Sequence, residues 1–351
     1  MSLNTITAAE AMAAPDGYDT IVDARSPSEF AEDRLPGAVN WPVLDDAERA
    51  EVGTIYTQVS TFEARKRGAA IVSRNIARII DEQVATQGRD WRPLIYCWRG
   101  GQRSGSLAIV LAQIGFRTRQ LQGGYKAFRA VVRNDLAELP LRFSWRVLGG
   151  RTGSGKTRLL GALAAEGAQV LDLEALAAHR GSVLGGLPGQ PQPTQKHFET
   201  RLWQVLRGFK AEQPVYVESE SRRIGQLQLP DSLLASLRGS TTPVMVELAQ
   251  AARVRLLRED YAFFMEDVAT LCERLQALTE LRGKASVARW QAQAHAGDWD
   301  TLLGELTQQH YDPLYDHALK ATHATHTPHH LALPDAAPAT LAAAARELMA
   351  R

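Results

Sequence analysis

The chain has 351 residues, 45% of them hydrophobic and 23% charged, and carries a formal net charge of +1. This is ordinary globular material of a length that suggests about two domains, and the near-neutral balance makes no general case for nucleic acid. The two cysteines argue against a disulfide framework and fit a reducing cytoplasm.

No apolar run approaches the roughly 20 residues that cross a bilayer, so no membrane partner is expected. The opening stretch "MSLNTITAAEAMAAPDGYDT" lacks a basic start followed by an apolar core, so a cytoplasmic location is expected rather than export. In the first third, "DTIVDARS" predicts a strand, "PSEFAEDR" a short helix and "AVNWPV" a strand. "FEARKRGAAIVSRNIARIIDEQVATQG" predicts a long, interrupted helix. "RPLIYCW" reads as a buried strand, "SGSLAIVLAQIGF" as a helix and "TRQLQGG" as a strand and turn. Such βα alternation implies a parallel sheet with helices on both sides. "YKAFRAVVRNDLAELP" predicts a connecting helix, which places a boundary between residues 1–135 and 136–351.

A second α/β unit follows. "RFSWRVLGG", "AQVLDLE", "PVYVESES" and "TPVMVELA" read as strands, and "GKTRLLGALAAEG" and "KHFETRLWQVLRGF" as helices. "HRGSVLGGLPGQPQPTQ" is Gly/Pro-rich and should be irregular. From Arg253 to Gln309 the pattern is helical, and the tail ends in one more helix. The fold class expected is α/β: a parallel-sheet domain, then a P-loop NTPase-like α/β domain with a helical C-terminal region.

The cysteine of "YCWRGGQRSG" falls at the C-terminal end of a parallel strand, where open α/β sheets bind ligands. Cys97 is then a candidate nucleophile, with Arg99 and Arg103 as cationic partners. Trp98, Gly100, Gly101, Gln102 and Ser104 form a candidate anion cradle at the start of the following helix. Cys272, on an apolar helical face, reads as core.

Three stretches, "VDARSPSEFAEDRLPGAVNWP", "YCWRGGQRS" and "LQGGYKAFR", resemble the signatures of rhodanese domains. That resemblance implies that Cys97 accepts a chalcogen and that Asp23 and Arg25 are scaffold behind its loop. Two departures stand out: Arg34 occupies the position of a usual histidine, and the loop reads C-x5-R, one residue longer than the common sulfurtransferase loop. The longer spacing resembles cysteine phosphatases, whose loops wrap a tetrahedral phosphate.

"GGRTGSGKT" contains G-x4-GKT between a strand and a helix, a phosphate-binding pattern. Gly150, Gly153 and Gly155 let backbone amides approach phosphates, Lys156 neutralises charge, and the Thr157 hydroxyl can hold Mg²⁺. Asp172, Glu174, Glu218 and Glu220 end the next strands; Glu218 or Glu220 is the expected acidic partner, with Asp172 also a candidate. In "RVRLLREDY", Arg253, Arg255 and Arg258 are candidate phosphate clamps, with Arg253 and Arg258 favoured. His179 and Arg180, beside the Gly/Pro-rich loop, are further candidates. His310, His317, His323, His326, His329 and His330 show no zinc-site spacing, so no metal is expected on them and the segment reads as polar, partly mobile surface.

Over nearly all of residues 10–320 the chain resembles the tRNA 2-selenouridine synthase family, through both motifs and through "DLEALAAHRGS", "VYVESESRRIG" and "HYDPLY". The resemblance implies exchange of sulfur for selenium at C2 of a wobble 2-thiouridine in tRNA. It further implies selenophosphate as donor and S-geranylation by geranyl diphosphate as an intermediate step. On this reading Cys97 carries selenium as a selanyl-sulfide, the P-loop cradles the diphosphate, and no tightly bound cofactor is required beyond possible Mg²⁺. The basic clusters at 65–67, 142–146 and 222–223 are candidate tRNA backbone contacts. A cysteine phosphatase with an accessory nucleotide domain, and a P-loop kinase or NTPase with a binding-only rhodanese module, remain as alternatives.

Overall fold

The computed structural model describes residues 3–182, 184–240, 243–316 and 328–351. The chain divides into two compact units, Met1–Asp135 with Glu199–Gln204, and Leu136–Phe198 with Val205–Arg351.

The first unit holds a five-stranded parallel sheet. Its strands are β1 (Thr5–Ile6), β2 (Thr20–Asp23), β3 (Ala38–Asn40), β4 (Pro93–Tyr96) and β5 (Arg119–Leu121), in the order β1-β5-β4-β2-β3. β4 is central and buried at every position, as its unbroken apolar run requires. Val22, Ile95, Leu107, Leu111 and Trp91 form the core on one face. Three elements of this unit escaped the sequence reading, one of them the six-residue helix Ala8–Ala13. The edge strand β1 has only two residues. The helix Asp46–Gln58 buries no side chain and packs on the helix Thr61–Ile79, so it offers no apolar stripe to detect. The expected interruption of the long helix is a π-helical turn at Ile80–Val84.

The second unit has strands β6 (Trp145–Gly149), β7 (Gln169–Leu171), β8 (Val215–Glu218), β9 (Arg223–Ile224), β10 (Leu227–Gln228), β11 (Val244–Leu248) and β12 (His329–Leu333). Five of them form a parallel sheet in the order β12-β11-β6-β8-β7, with β6 central; β9 and β10 make a small antiparallel ribbon. Helices Lys156–Ala165 and Pro338–Met349 pack together through Leu159, Leu160, Leu163, Leu341, Ala345 and Leu348. A separate apolar cluster, including Phe264, Leu275, Trp290 and Leu302, holds the helices between Phe263 and Leu306.

Part of the histidine-rich stretch departs from a polar surface segment. His329 and His330 lie in β12, which pairs with β11, and His310 is 1% exposed. The His310 Nδ1 accepts from Arg282 Nε at 3.1 Å; burial and the Arg282 charge lower its pKa to about 4, which leaves it neutral. His317, His323 and His326 lie outside the described residues.

Candidate functional site

Cys97 directly follows β4, and the helix Gln102–Ile114 begins five residues later. The thiol is 3% exposed, and the Ser104 hydroxyl donates to its sulfur at 3.1 Å. The Gln120 side-chain amide on β5 donates to Ser104 Oγ at 2.8 Å and to the Gly100 carbonyl at 2.9 Å, which ties the loop to the neighbouring strand. The helix Gly124–Glu138 secures the other side, with the Tyr125 and Lys126 amides donating to the Cys97 and Trp98 carbonyls at 2.8 and 3.0 Å. Gly124 has φ +56°, and a Cβ there would overlap the Cys97 carbonyl, so this close approach requires glycine. Trp98 stacks at a tilt on Tyr125, with centroids 5.3 Å apart. Gly101 and Gln102 are exposed at the helix start.

The two loop arginines differ. Arg99 is exposed and has no hydrogen-bond or ion-pair partner among the described residues. Arg103 is paired: Nη1 and Nη2 donate to Glu29 at 2.6 and 3.3 Å. Burial pushes the Glu29 carboxyl upward, but the hydrogen bond and charge of Arg103 outweigh it and hold Glu29 below the usual carboxylate range. Behind the loop, Arg25 is fully buried, pairs with Asp23 at 2.6 Å and lies 4.1 Å from the Tyr125 ring centroid. Arg34 instead packs over Phe30.

The P-loop follows β6 and leads into Lys156–Ala165. Gly153 has φ +78°, and a Cβ there would stand 2.8 Å from Leu257 Cγ. Lys156 Nζ donates to the Gly150 and Arg151 carbonyls at 2.8 and 3.3 Å, which closes the loop on itself. Gly150 N donates to the Tyr315 hydroxyl at 2.5 Å. The loop borders a cavity of 440 Å³ that also reaches Arg158, Arg180, Glu174, Glu218, Glu220 and Tyr311.

Here the structure sorts the acidic candidates. Glu174, Glu218 and Glu220 bring carboxylate oxygens within 4.8 Å of one another. Glu218 is buried, Thr157 hydrogen-bonds it, and its Oε1 has no partner among the described residues. Burial and the neighbouring carboxylates raise Glu174 to about 9; burial and Glu218 raise Glu220 to about 8; burial also raises Glu218. Such a donor set fits a hard divalent cation, whose charge would relieve the repulsion. The sequence offers Thr157 for Mg²⁺ with Glu218 or Glu220 as the acidic partner, and the structure sets Glu174 beside those two carboxylates. Asp172 does not join it: its side chain caps the helix Leu173–Ala177 by accepting from Ala175 N at 2.8 Å.

The expected arginine clamp is also reassigned. Arg253 is 3% exposed and binds the Thr152 carbonyl at 2.8 and 2.9 Å and Asp312 at 2.6 and 2.9 Å, so it braces the P-loop from behind. Arg258 is exposed and pairs with Asp300 at 3.3 Å, and Arg255 is exposed on the same helix. Cations at the cavity come from Lys156, Arg158 and Arg180 instead. Arg158 was missed because its partner Asp260, at 2.8 Å, lies 102 residues away. His179 has a buried Nδ1 without a partner among the described residues, and burial followed by Arg274 lowers its pKa. Cys272 is half-buried beside the helical core, its sulfur 3.6 Å from His295 Nε2. Of the basic clusters, Lys66, Arg67, Arg142 and Arg222 pair with surface carboxylates.

Two family models match the chain: a rhodanese-like domain over residues 7–131 and the tRNA 2-selenouridine synthase AAA domain over residues 143–276. Among similar proteins is the tRNA 2-selenouridine synthase of Hydrogenovibrio crunogenus, 34% identical over 86% of this chain and 89% of the relative. That of Aeromonas salmonicida is 33% identical over 84% of this chain and 86% of its own. That of Nitrosomonas europaea is 39% identical over 69% of this chain and 63% of its own. A solved structure, the N-terminal domain of a putative ATP/GTP binding protein from Clostridium difficile 630, is 36% identical over 37% of this chain and 98% of that one, with a TM-score of 0.33.

Proposed function

We infer the function from one premise: the chain belongs to the tRNA 2-selenouridine synthase family. It is accordingly an enzyme of tRNA modification that forms 2-selenouridine. The chemistry we propose within that activity uses selenophosphate at Cys97 and geranyl diphosphate at the P-loop. The observation that carries it is the presence of two separately built anion loops, one with a nucleophile and one without.

At the P-loop, Lys156, Arg158 and Arg180 face the diphosphate. Mg²⁺ would be held by Glu174, Glu218 and Glu220 beside Thr157, and when bound it neutralises phosphate charge. The tRNA thione sulfur attacks the first carbon of the geranyl group; an S–C bond forms, the C–O bond breaks, and diphosphate leaves with that electron pair as the uridine N3 proton is lost.

At Cys97 the electron balance favours phosphorus as the point of attack. A selanyl-sulfide would require selenide to lose two electrons, and selenophosphate brings no oxidant. Attack by the Cys97 sulfur on phosphorus needs none: the S–P bond forms, the P–Se bond breaks, and hydroselenide leaves with the electron pair. Water then hydrolyses the phosphocysteine. The C-x5-R spacing, the amides at the helix start and Arg103 suit a phosphoryl group. Hydroselenide adds at C2 of the S-geranylated base, its proton passes to N3, and geranylthiolate leaves. The clusters at 65–67, 142–146 and 222–223 can exchange weak surface partners for tRNA phosphates.

The test is mass analysis of nucleosides from 2-thiouridine tRNA incubated with the protein and Mg²⁺. Geranyl diphosphate alone should yield S-geranyl-2-thiouridine, and added selenophosphate should convert it to 2-selenouridine. An unchanged 2-thiouridine mass with both donors present would overturn the reading.

A further inference from the structure

A second cavity adjoins the P-loop cavity and differs from it in chemistry. It encloses 40 Å³ and is lined by Leu184, Phe264, Met265, Leu271, Trp299 and Leu302 among others. Thr152, Leu257, Tyr261 and Tyr311 line both cavities, so the two share one wall. Among the described residues, no Asp, Glu, Lys or Arg lines the apolar one. Its polar edge offers little to a heterocycle. Thr307 Oγ1 is already used, donating to the Leu303 and Gly304 carbonyls at 2.9 and 2.8 Å and accepting from Gln250 Nε2 at 2.7 Å. Tyr261 stacks on Phe264, with centroids 6.0 Å apart and an interplanar angle of 0°.

A void of this size holds about three waters, but water needs two to four polar partners, and a wall of carbon leaves it dry and open to hydrocarbon. A nucleobase would lose its solvent hydrogen bonds there and regain few. The void lies within the cluster that holds the helices between Phe263 and Leu306. Met265, Trp299 and Leu303 on its wall are only partly buried, and methionine is an adaptable filler, so an entering chain can displace them rather than the core.

We propose that this cavity is the hydrocarbon subsite of the P-loop site: the ligand is a diphosphate that carries a short prenyl chain, with its anion on the P-loop and its chain against Phe264, Met265, Trp299 and Leu303. The proposal rests on the reading that the P-loop takes a diphosphate. It assigns the choice between a prenyl and a nucleoside diphosphate to helices outside the phosphate motif.

The experiment is calorimetric binding to the full chain with Mg²⁺, using inorganic diphosphate, dimethylallyl, geranyl and farnesyl diphosphates, and adenosine diphosphate. Wild-type protein should bind geranyl diphosphate at least tenfold more tightly than inorganic diphosphate. Met265→Trp and Leu303→Trp, two half-buried wall positions, should each remove that gain and leave inorganic diphosphate binding unchanged. Circular dichroism checks the fold of both variants, and the wild-type comparison decides by itself if either misfolds. Equal affinity for geranyl and inorganic diphosphate overturns the subsite and leaves the P-loop reading standing. A chain-dependent gain that survives both substitutions, or tighter binding of adenosine diphosphate than of geranyl diphosphate, also overturns it. Failure of every diphosphate to bind removes the P-loop reading first and the subsite with it.

Discussion

The Cys97 loop and the P-loop leave the C-terminal ends of β4 and β6, each the central strand of a five-stranded parallel sheet, and each loop runs into a helix. Backbone geometry therefore gives both the same anion-binding start. Their surroundings then diverge. In the Cys97 loop, Arg103 pairs with Glu29, which Arg49 also meets, and the carboxyl is held below its usual range. Beside Lys156, three carboxylates crowd together and all are pushed up. One loop has an arginine paired with a carboxylate from the helix Pro27–Glu32, whereas the other faces carboxylates whose raised pKa values favour protons that a cation would displace. In the proposed function a shared topology sets where an anion binds, and neighbouring side chains set whether a metal comes with it.

The sharpest way to break this comparison is Cys97→Ser. Selenium incorporation should fall more than about a thousandfold, because the nucleophile is removed. S-geranylation should persist. Loss of both products in a folded variant would show that the two loops serve a single step. Lys156→Ala comes next: diphosphate affinity should weaken by about 30- to 150-fold, as expected for one charge-assisted contact of roughly 2–3 kcal/mol. Phosphate release from selenophosphate by Cys97 should be unaffected in the same variant. The smallest effect is on stability. Raised carboxyl pKa values mean that the folded state holds protons the unfolded chain releases, so their stabilising contribution is present below about pH 4.5 and is lost as pH rises towards 8 to 9. The melting temperature of metal-free protein should decline across that window, and Mg²⁺ should reverse part of the decline. Glu220→Gln should flatten the slope. A profile unchanged in that variant would show that the cluster does not titrate as a unit.

Both loops were legible because each is a contiguous motif in a strand–loop–helix setting. Cys97, Gly150, Lys156 and Thr157 fall where the pattern places them. What escaped notice depends on contacts distant in sequence. Arg253 looked like a phosphate clamp because Asp312, its buried partner, stands 59 residues away. The carboxylates come from a helix after β7 and from the end of β8, and nothing local separates Glu174 from the capping Asp172 two residues earlier. β12 was hidden because its first two residues are histidines, and its pairing with β11 is what gives the segment a strand identity.

The Arg253–Asp312 and Gly150–Tyr315 contacts have a practical consequence for anyone cutting the gene. A fragment that stopped after the helix Thr279–Arg282 would keep every letter of the phosphate motif and lose both braces. It would also lose β12 and the helix Pro338–Met349 that covers the P-loop helix, leaving β11 as a bare edge. Aggregation in such a fragment would report the choice of endpoint and say nothing about the motif.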